Sequence, residues 1–415
     1  MIHICFGLYD KTGRYSKFTG TTMLSVFENS NTPPRSTTVH ILHDNTLTSD
    51  NREKFLQLAA RYGQAVNFYN VDELCRNELE KFSRRNPLMK SSWLTIGAFY
   101  KFLIMYVLPK KIEKVIYLDA DIVVNLDIAE LWQFNLGARP LGAVPVYLQD
   151  KNEADGLGRV LNDFDLVRFG FVRAEDYFNS GVLVMNLKRL RGEEEKILDG
   201  MKFRGEHPEF WMFDQCIWNY CFSTEYLKLP LKFNREVIKV REQDGGRVEK
   251  KIYHFTSTNS VWSFGLDTRD ALNRLWLDYF IKTPWFDSET FGRIHDVIQN
   301  LYAIRKNYMR TLSTALPGKE RAFIIHEKGL KEINVLVENF SVRSDEEIIV
   351  VPDGMPLQKL IDVMNKSRGK KIFFAVIPNF PFHLLEGAGF ILGKNIFNGY
   401  DFLSGCDFYK FVEAM

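Results

Sequence analysis

A chain of 415 residues exceeds what one ordinary hydrophobic core serves, so two domains are expected. Its 54 basic and 52 acidic side chains leave a net charge of +2, which argues against nucleic acid and for a small or uncharged partner. The five cysteines (Cys5, Cys75, Cys216, Cys221 and Cys406) are scattered without a C-x-x-C pair, which excludes a disulfide framework and a cysteine zinc site. No stretch has the apolar length of a membrane span, and Met1-Ile-His-Ile-Cys-Phe lacks the charged n-region and long apolar core of a signal peptide, so a cytoplasmic protein is expected.

In chain order, Ile2 to Leu8 reads as a first central strand, and the turn-rich Tyr9 to Lys17 leads into a helix with Met23, Leu24 and Phe27 on one face. Thr38 to Leu42 is a second strand, Ser49 to Arg61 a helix with Phe55, Leu56, Ala59 and Ala60 as its apolar stripe, and Val66 to Tyr69 a third strand. This alternation implies a sheet with helices on both faces. Trp93 to Leu108 is too apolar for a surface helix and is expected under the ligand crevice, with Lys101 as its main charge.

Lys114 to Leu118 is the central strand, and Asp119 and Asp121 fall where it ends. Carboxylates there face the crevice in which open α/β sheets bind ligands, and oxygens at i and i+2 across the small Ala120 can share one hard divalent cation. Leu141 to Val146 is a further apolar run, and Gln149 to Ala174 reads as a polar, glycine-containing loop region. Asn179-Ser-Gly181 stands before another strand, Phe213 starts a helix with Asp214 and Gln215 near its amino end, and Lys250 to His254 is a strand followed by a Ser/Thr-rich loop with Trp262. Beyond Trp285, Phe291, Ile294, Val297, Ile298, Leu301 and Ile304 recur at helical spacing until Pro317-Gly318, and Arg305, Lys306 and Arg310 leave room for contact with the inner face of a membrane. Strands at Ala322 to His326, Glu347 to Val351 and Ile372 to Ile377 then form a smaller α/β domain without a G-x-G-x-x-G turn. The expected division is a catalytic domain over 1–285, a helical linker over 286–318 and a small Rossmann-like domain over 319–415.

Taken together, Phe99-Tyr-Lys101, Val115-Ile-Tyr-Leu-Asp119-Ala-Asp121, Phe178-Asn179-Ser-Gly-Val-Leu-Val-Met-Asn-Leu, Asp214-Gln215 and His254 with Trp262 occur in the order seen in family 8 glycosyltransferases. The chain resembles that family over its first two thirds. The resemblance implies a GT-A fold, a UDP-hexose donor (UDP-glucose or UDP-galactose), Mn2+ or Mg2+, and retaining transfer to a glycan, lipid-linked or protein acceptor. It assigns Asp119, Asp121 and His254 to the metal, and Lys101, Asp214 and Gln215 to catalysis. Gly7, Tyr9, Asp10, Ala120, Asn179, Ser180, Ser257 and Ser260 are then expected along the nucleotide-sugar. The chain departs from the family in three places. Gly7-Leu8-Tyr9-Asp10 replaces adjacent acids that reach the uracil, Lys101 replaces an arginine, and Ser257 and Ser260 replace a glycine and the lysine that contacts the diphosphate.

Two rival readings remain on the residues. Leu118-Asp-Ala-Asp-Ile-Val also fits the start of haloacid-dehalogenase-like phosphatases, with Asp119 as nucleophile, although a half-sheet precedes it and no later G-D-x-x-x-D follows. Ser260 in place of the lysine suits a non-catalytic sugar or nucleotide binder on the same fold.

Overall fold

The computed structural model describes residues 1–31, 33–90, 96–210, 212–256, 270–292, 320–327, 346–377 and 380–398. The chain divides into two compact units, Met1–Ser288 and Glu289–Met415. The strands of the first are β1 (Ile2–Leu8), β2 (Thr37–His43), β3 (Ala65–Asn70), β4 (Lys114–Leu118), β5 (Ile122–Val124), β6 (Leu141–Ala143), β7 (Val182–Asn186), β8 (Leu227–Lys228), β9 (Arg235–Glu236) and β10 (Ile252–His254). Seven of them make a mixed sheet in the order β3-β2-β1-β4-β7-β6-β8. β1, β2, β3 and β4 are mutually parallel where they pair, and their apolar runs are what burial on both faces of β1, β2 and β4 requires.

The sheet changes direction at β7, and this change builds the site. β4 and β7 are antiparallel with Leu118 opposite Val182, so the end of β4 meets the start of β7. Asp119 to Asp121 and Asn179 to Gly181 therefore share one edge. A second sheet, β5-β10-β9, brings in His254, which pairs with Ile122 on one side and Glu236 on the other.

The Arg14–Asn29 helix fastens β5 with a polar ladder at helical spacing. The Thr22 hydroxyl donates to the carbonyls of Ala120 (2.9 Å) and Ile122 (2.6 Å), the Ser25 hydroxyl accepts from Val124 N–H (2.9 Å), and the Asn29 amide donates to Val124 O (2.9 Å). Its other side packs so tightly on Trp285 that a Cβ at Gly20 would stand 2.1 Å from the indole.

Three expectations change. Residues expected as one helix from Trp93 form instead a 3-10 helix, Ile96–Leu103, and one α-turn, Ile104–Val107, while 91–95 lie outside the described residues. The tighter turn lays Gly97 and Tyr100 against β1, where a Cβ at Gly7 would press on Gly97 O at 3.0 Å and Tyr100 Cβ at 3.2 Å. The expected loop from Gln149 to Ala174 is largely helical, over Glu153–Asp163 and Asp165–Arg168, the first capped by Asn152. On the Ser49–Arg61 helix the buried apolar stripe is Phe55, Leu58 and Ala59, with Leu56 and Ala60 facing solvent.

In the second unit β11 (Glu320–His326), β12 (Glu347–Val351), β13 (Lys371–Val376) and β14 (Ile396–Asn398) form a parallel sheet in the order β12-β11-β13-β14. Leu360, Ile361 and Met364 of the Leu357–Asn365 helix pack on Ala322, Ile324, Phe373 and Ala375. The expected linker lies outside the described residues from 293 to 318.

Filling the space at Gly20 tests the helix packing. Gly20→Ala should cost about 1–3 kcal/mol by overpacking against Trp285, despite the better helix propensity of alanine. Urea denaturation reads this directly, and an unchanged midpoint would mean that the indole is free to move.

Candidate active site

β4 stops at Leu118 because the next three residues turn out of the sheet before β5 begins. That turn is held from several sides. Asp119 N–H donates to Gly181 O (2.8 Å), Phe255 N–H donates to Asp121 O (2.9 Å), and Thr22 holds the carbonyls of Ala120 and Ile122. Carboxylate oxygens of Asp119 and Asp121 and a ring nitrogen of His254 then lie within 4.8 Å of one another. Gly181 makes this convergence sterically feasible, since a Cβ there would stand 2.2 Å from His254 Cε1 and 2.9 Å from Asp119 Oδ2.

The donor set suits a divalent cation on this geometry. His254 Nδ1 is 3.0 Å from Asn234 Oδ1, and Asn234 Nδ2 donates to Asn179 Oδ1 at 2.9 Å. The oxygen end of Asn234 therefore faces the imidazole, which makes Nδ1 the donor to Asn234 and leaves Nε2, 3.3 Å from Asp121 Oδ1, as the nitrogen that a bound cation would take. Burial pushes the His254 imidazolium down, but Asp121 and then Asp119 outweigh it, so its pKa lies above the ordinary value. Two carboxylates and one imidazole with its outer nitrogen anchored match manganese or zinc better than calcium.

Beside this group lies a buried ammonium. Lys101 Nζ is 2.7 Å from Asp214 Oδ2, 3.3 Å from Asp119 Oδ1 and 3.3 Å from Ser180 O, and it sits 4.7 Å over the Tyr117 ring. Burial alone pushes a lysine down, yet Asp119 and Asp214 together raise it, so Lys101 stays charged. Burial also holds the Asp214 carboxyl above the usual range; Lys101 opposes this and Asp119 adds to it. Asp214 Oδ2 further accepts from the Ser180 hydroxyl (3.0 Å), which leaves Oδ1 for a ligand. The residue before it, Phe213, has φ +33°, a strain of about 1–3 kcal/mol that starts the helix with Asp214 turned into the site.

Gln215 is fixed at both ends of its amide. Its Oε1 accepts from Ser180 N–H (3.1 Å) and its Nε2 donates to the Tyr177 hydroxyl (3.1 Å). Asn179 Oδ1 accepts from Gly181 N–H (2.8 Å) and from Asn234, so among the described residues its amide nitrogen is the group left to offer. The structure thus brings Lys101, Asp119, Ala120, Asp121, Asn179, Ser180, Asp214, Gln215 and His254 to one place.

The amino-terminal candidates divide. Gly7 gives room for the 3-10 helix and lies near the Tyr117 hydroxyl, while Tyr9 packs half-buried against the core. Asp10 does not join the site: it is 2% exposed, and its carboxylate takes bonds from Ser16 and from Asn51 Nδ2 (3.0 Å), whose Oδ1 in turn accepts from Trp285 Nε1 (2.8 Å). Ser257, Ser260 and Trp262 lie outside the described residues. Sequence reasoning missed Asn219, whose side chain brackets the backbone of Phe178 with two 2.8 Å bonds; its place four residues after Gln215 was the available signal. It also missed Tyr117, whose hydroxyl donates to Asp119 Oδ1 at 2.6 Å, and Asn234, for which the sequence offers no signal before β9 and β10 are paired.

The family model of Glycosyl transferase family 8 matches residues 8–262. General stress protein A of Bacillus subtilis strain 168 is 22% identical over 263 residues, covering 58% of this chain and 82% of that protein. Among solved structures, the galactosyltransferase LgtC in complex with donor and acceptor sugar analogs aligns with a TM-score of 0.50 at 19% identity, over 70% of this chain and 99% of that one. The bifunctional glycosyltransferase WbbM aligns with a TM-score of 0.50 at 16% identity, over 69% of this chain and 50% of that one. At these identities the structural likeness is one of fold, the GT-A arrangement.

Two substitutions probe the site without an activity assay. Lys101→Met keeps the volume and strands the buried carboxylates, which should cost about 3–5 kcal/mol in urea denaturation. Because loss of the lysine raises the Asp214 pKa further, the penalty applies to the ionised form; it should be largest near pH 8 and fade toward about pH 4, where the unfolded carboxyl protonates. A loss independent of pH would show that Lys101 supplies packing and not charge. Asn234→Ala removes the partner of His254 Nδ1 and should weaken Mn2+ binding about 10–100-fold, as read by electron paramagnetic resonance titration.

Proposed function

The chain belongs to glycosyl transferase family 8, and from that premise we propose that it transfers a hexosyl unit, glucose or galactose, from a UDP-sugar to a hydroxyl of a glycan, lipid-linked or protein acceptor, with retention at the anomeric carbon. The observation that carries this reading is the meeting of Asp119, Asp121 and His254 around Gly181, directly beside Lys101 and Asp214. Those three side chains would hold Mn2+ or Mg2+, which when bound supplies Lewis-acid charge for the leaving diphosphate. Asp214 Oδ1 and the Asn179 amide are the groups left to position donor-sugar hydroxyls. Lys101 bridges Asp119 and Asp214 and opposes the burial that raises the Asp214 pKa, so it acts on the reaction through them.

Retention without a covalent intermediate fits these side chains best. The Gln215 amide is a weak nucleophile and is bonded at both ends, while one oxygen of Asp214 is committed to Lys101 and Ser180. The acceptor hydroxyl then attacks from the face that the diphosphate leaves, and its proton passes to a departing phosphate oxygen. The phosphatase alternative loses its footing, because Asp119 lies inside the match of residues 8–262 to the glycosyl transferase family.

Incubation with Mn2+ and each UDP-hexose should release UDP from one of them, with release stopped by EDTA. Asp119→Ala and Asp121→Ala should each lower that release by at least about a hundredfold while the far-ultraviolet spectrum stays native. Stabilisation by a donor with no release would sink the transfer reading, and full activity in either variant would sink the metal assignment.

A further inference from the structure

Gly170 (φ +79°) turns the chain between two outward phenylalanines, Phe169 at 57% and Phe171 at 47% exposure, and Tyr220 nearby is 40% exposed. Single exposed hydrophobics are ordinary, but these rings form one connected surface with a rigid base. Phe169 stacks on Phe210 at 5.7 Å, and Phe171 meets Phe203 edge-on at 4.8 Å and His207 at 5.6 Å. Tyr220 stacks on Phe203 at 4.0 Å, and His207 on Phe210 at 4.9 Å.

The surface runs up to the catalytic helix. Phe210 lies three residues before Phe213, where the Phe213–Phe222 helix begins with Asp214 and Gln215 in its first turn. Tyr220 is on that same helix, about 7.5 Å along its axis from Gln215. Below the surface, Phe203 and Phe210 share a core with Tyr177, the partner of Gln215. The charge around the rings selects among occupants. Residues 161–176 and 202–210 hold four basic side chains (Arg168, Arg173, Lys202, Arg204) against six acidic ones. Arg173 is paired with Asp176 and Glu175, and Lys202 with Glu206. With Asp176 buried and also paired to Lys228, and Arg168 lying 5.7 Å over the Phe169 ring, the aromatic surface is close to neutral and offers an anionic bilayer no basic patch. It suits a neutral, hydroxylated chain, whose sugar rings present apolar C–H faces to the aromatics and hydroxyl edges to the carboxylates.

We propose that the surface formed by Phe169, Phe171, His207 and Tyr220 is a subsite for the distal residues of a neutral glycan acceptor, gripping the chain beyond the sugar that receives the new unit. This rests on the glycosyltransferase reading of the adjacent site. It assigns to the 153–176 segment a role in selecting acceptor length.

The test compares the full chain with the double variant Phe169→Ser, Phe171→Ser, after checking that both melt alike. Cellohexaose, maltohexaose and laminarihexaose, each with its disaccharide, are titrated by saturation-transfer nuclear magnetic resonance. For at least one series the native chain should bind the hexamer about tenfold tighter than the dimer, and the variant should lose that difference. Mn2+-dependent release of UDP into water should be equal in the two proteins. The proposal is overturned if no hexamer binds tighter than its dimer, or if the variant keeps the length dependence. It is also overturned if the variant instead loses cosedimentation with phosphatidylcholine–phosphatidylglycerol vesicles, or a dimer seen by light scattering. If UDP release is absent from both proteins while the length dependence behaves as expected, the donor reading fails and the glycan surface stands.

Discussion

The site depends on one buried ammonium. Lys101 Nζ carries three protons and meets three acceptors, Asp214 Oδ2, Asp119 Oδ1 and Ser180 O, so none of its donors is left unpaired at 2% exposure. Bringing such ions out of water costs several kcal/mol each, and only complete pairing recovers it. These acceptors come from three separate pieces of chain: the end of β4, the stretch before β7 and the first turn of the Phe213–Phe222 helix. A planar guanidinium would spread its donors in one plane, whereas the ammonium points them in three directions, as this arrangement requires. The lysine is thus matched to its surroundings.

Around that charge the backbone supplies the remaining precision. The antiparallel register of β4 and β7 places Gly181 against Asp119, and β10 brings His254 onto the same point from the opposite side. Two strand pairs therefore close on one glycine. Asn234 and Asn179 then join the candidate metal-binding residues to the proposed sugar-binding ones through side-chain amides.

What could be read from the sequence was set by local pattern, and what could not was set by contacts between distant segments. β1, β12 and the Ser49–Arg61 helix fall on the expected residues because their apolar periodicity and flanking polar residues suffice to place them. Gly156 misled for a physical reason: it reads as loop punctuation, yet a Cβ there would stand 2.3 Å from Tyr147 O, so its function is close packing of a helix. The 3-10 geometry of Ile96–Leu103 likewise answers to Gly7 on another strand. Asp10 was expected along the nucleotide-sugar because the resemblance sets Gly7-Leu8-Tyr9-Asp10 where the family has acids, and its carboxylate instead takes bonds from Ser16 and Asn51 at the helix start. That Asp119, Asp121 and His254 could share one cation was legible because metal chemistry restricts which residue types can serve; Asn234, which is bonded to one of them, was not.

Charge balance joins these parts. Among the described residues Asp119, Asp121 and Asp214 bring three carboxylates against the ammonium of Lys101, and once a cation displaces the proton that Asp121 favours on His254, two negative charges are left for that cation to balance in a largely buried site. A nucleoside diphosphate adds further negative charge, and repulsion over a few ångströms in a poorly screened pocket would keep it out. One divalent cation removes the deficit of the protein itself, and the Lewis-acid chemistry is then supplied at the same position. Among the described residues no second buried cation joins Lys101 in this group, so the proposed donor depends on the cation that Asp119, Asp121 and His254 would hold.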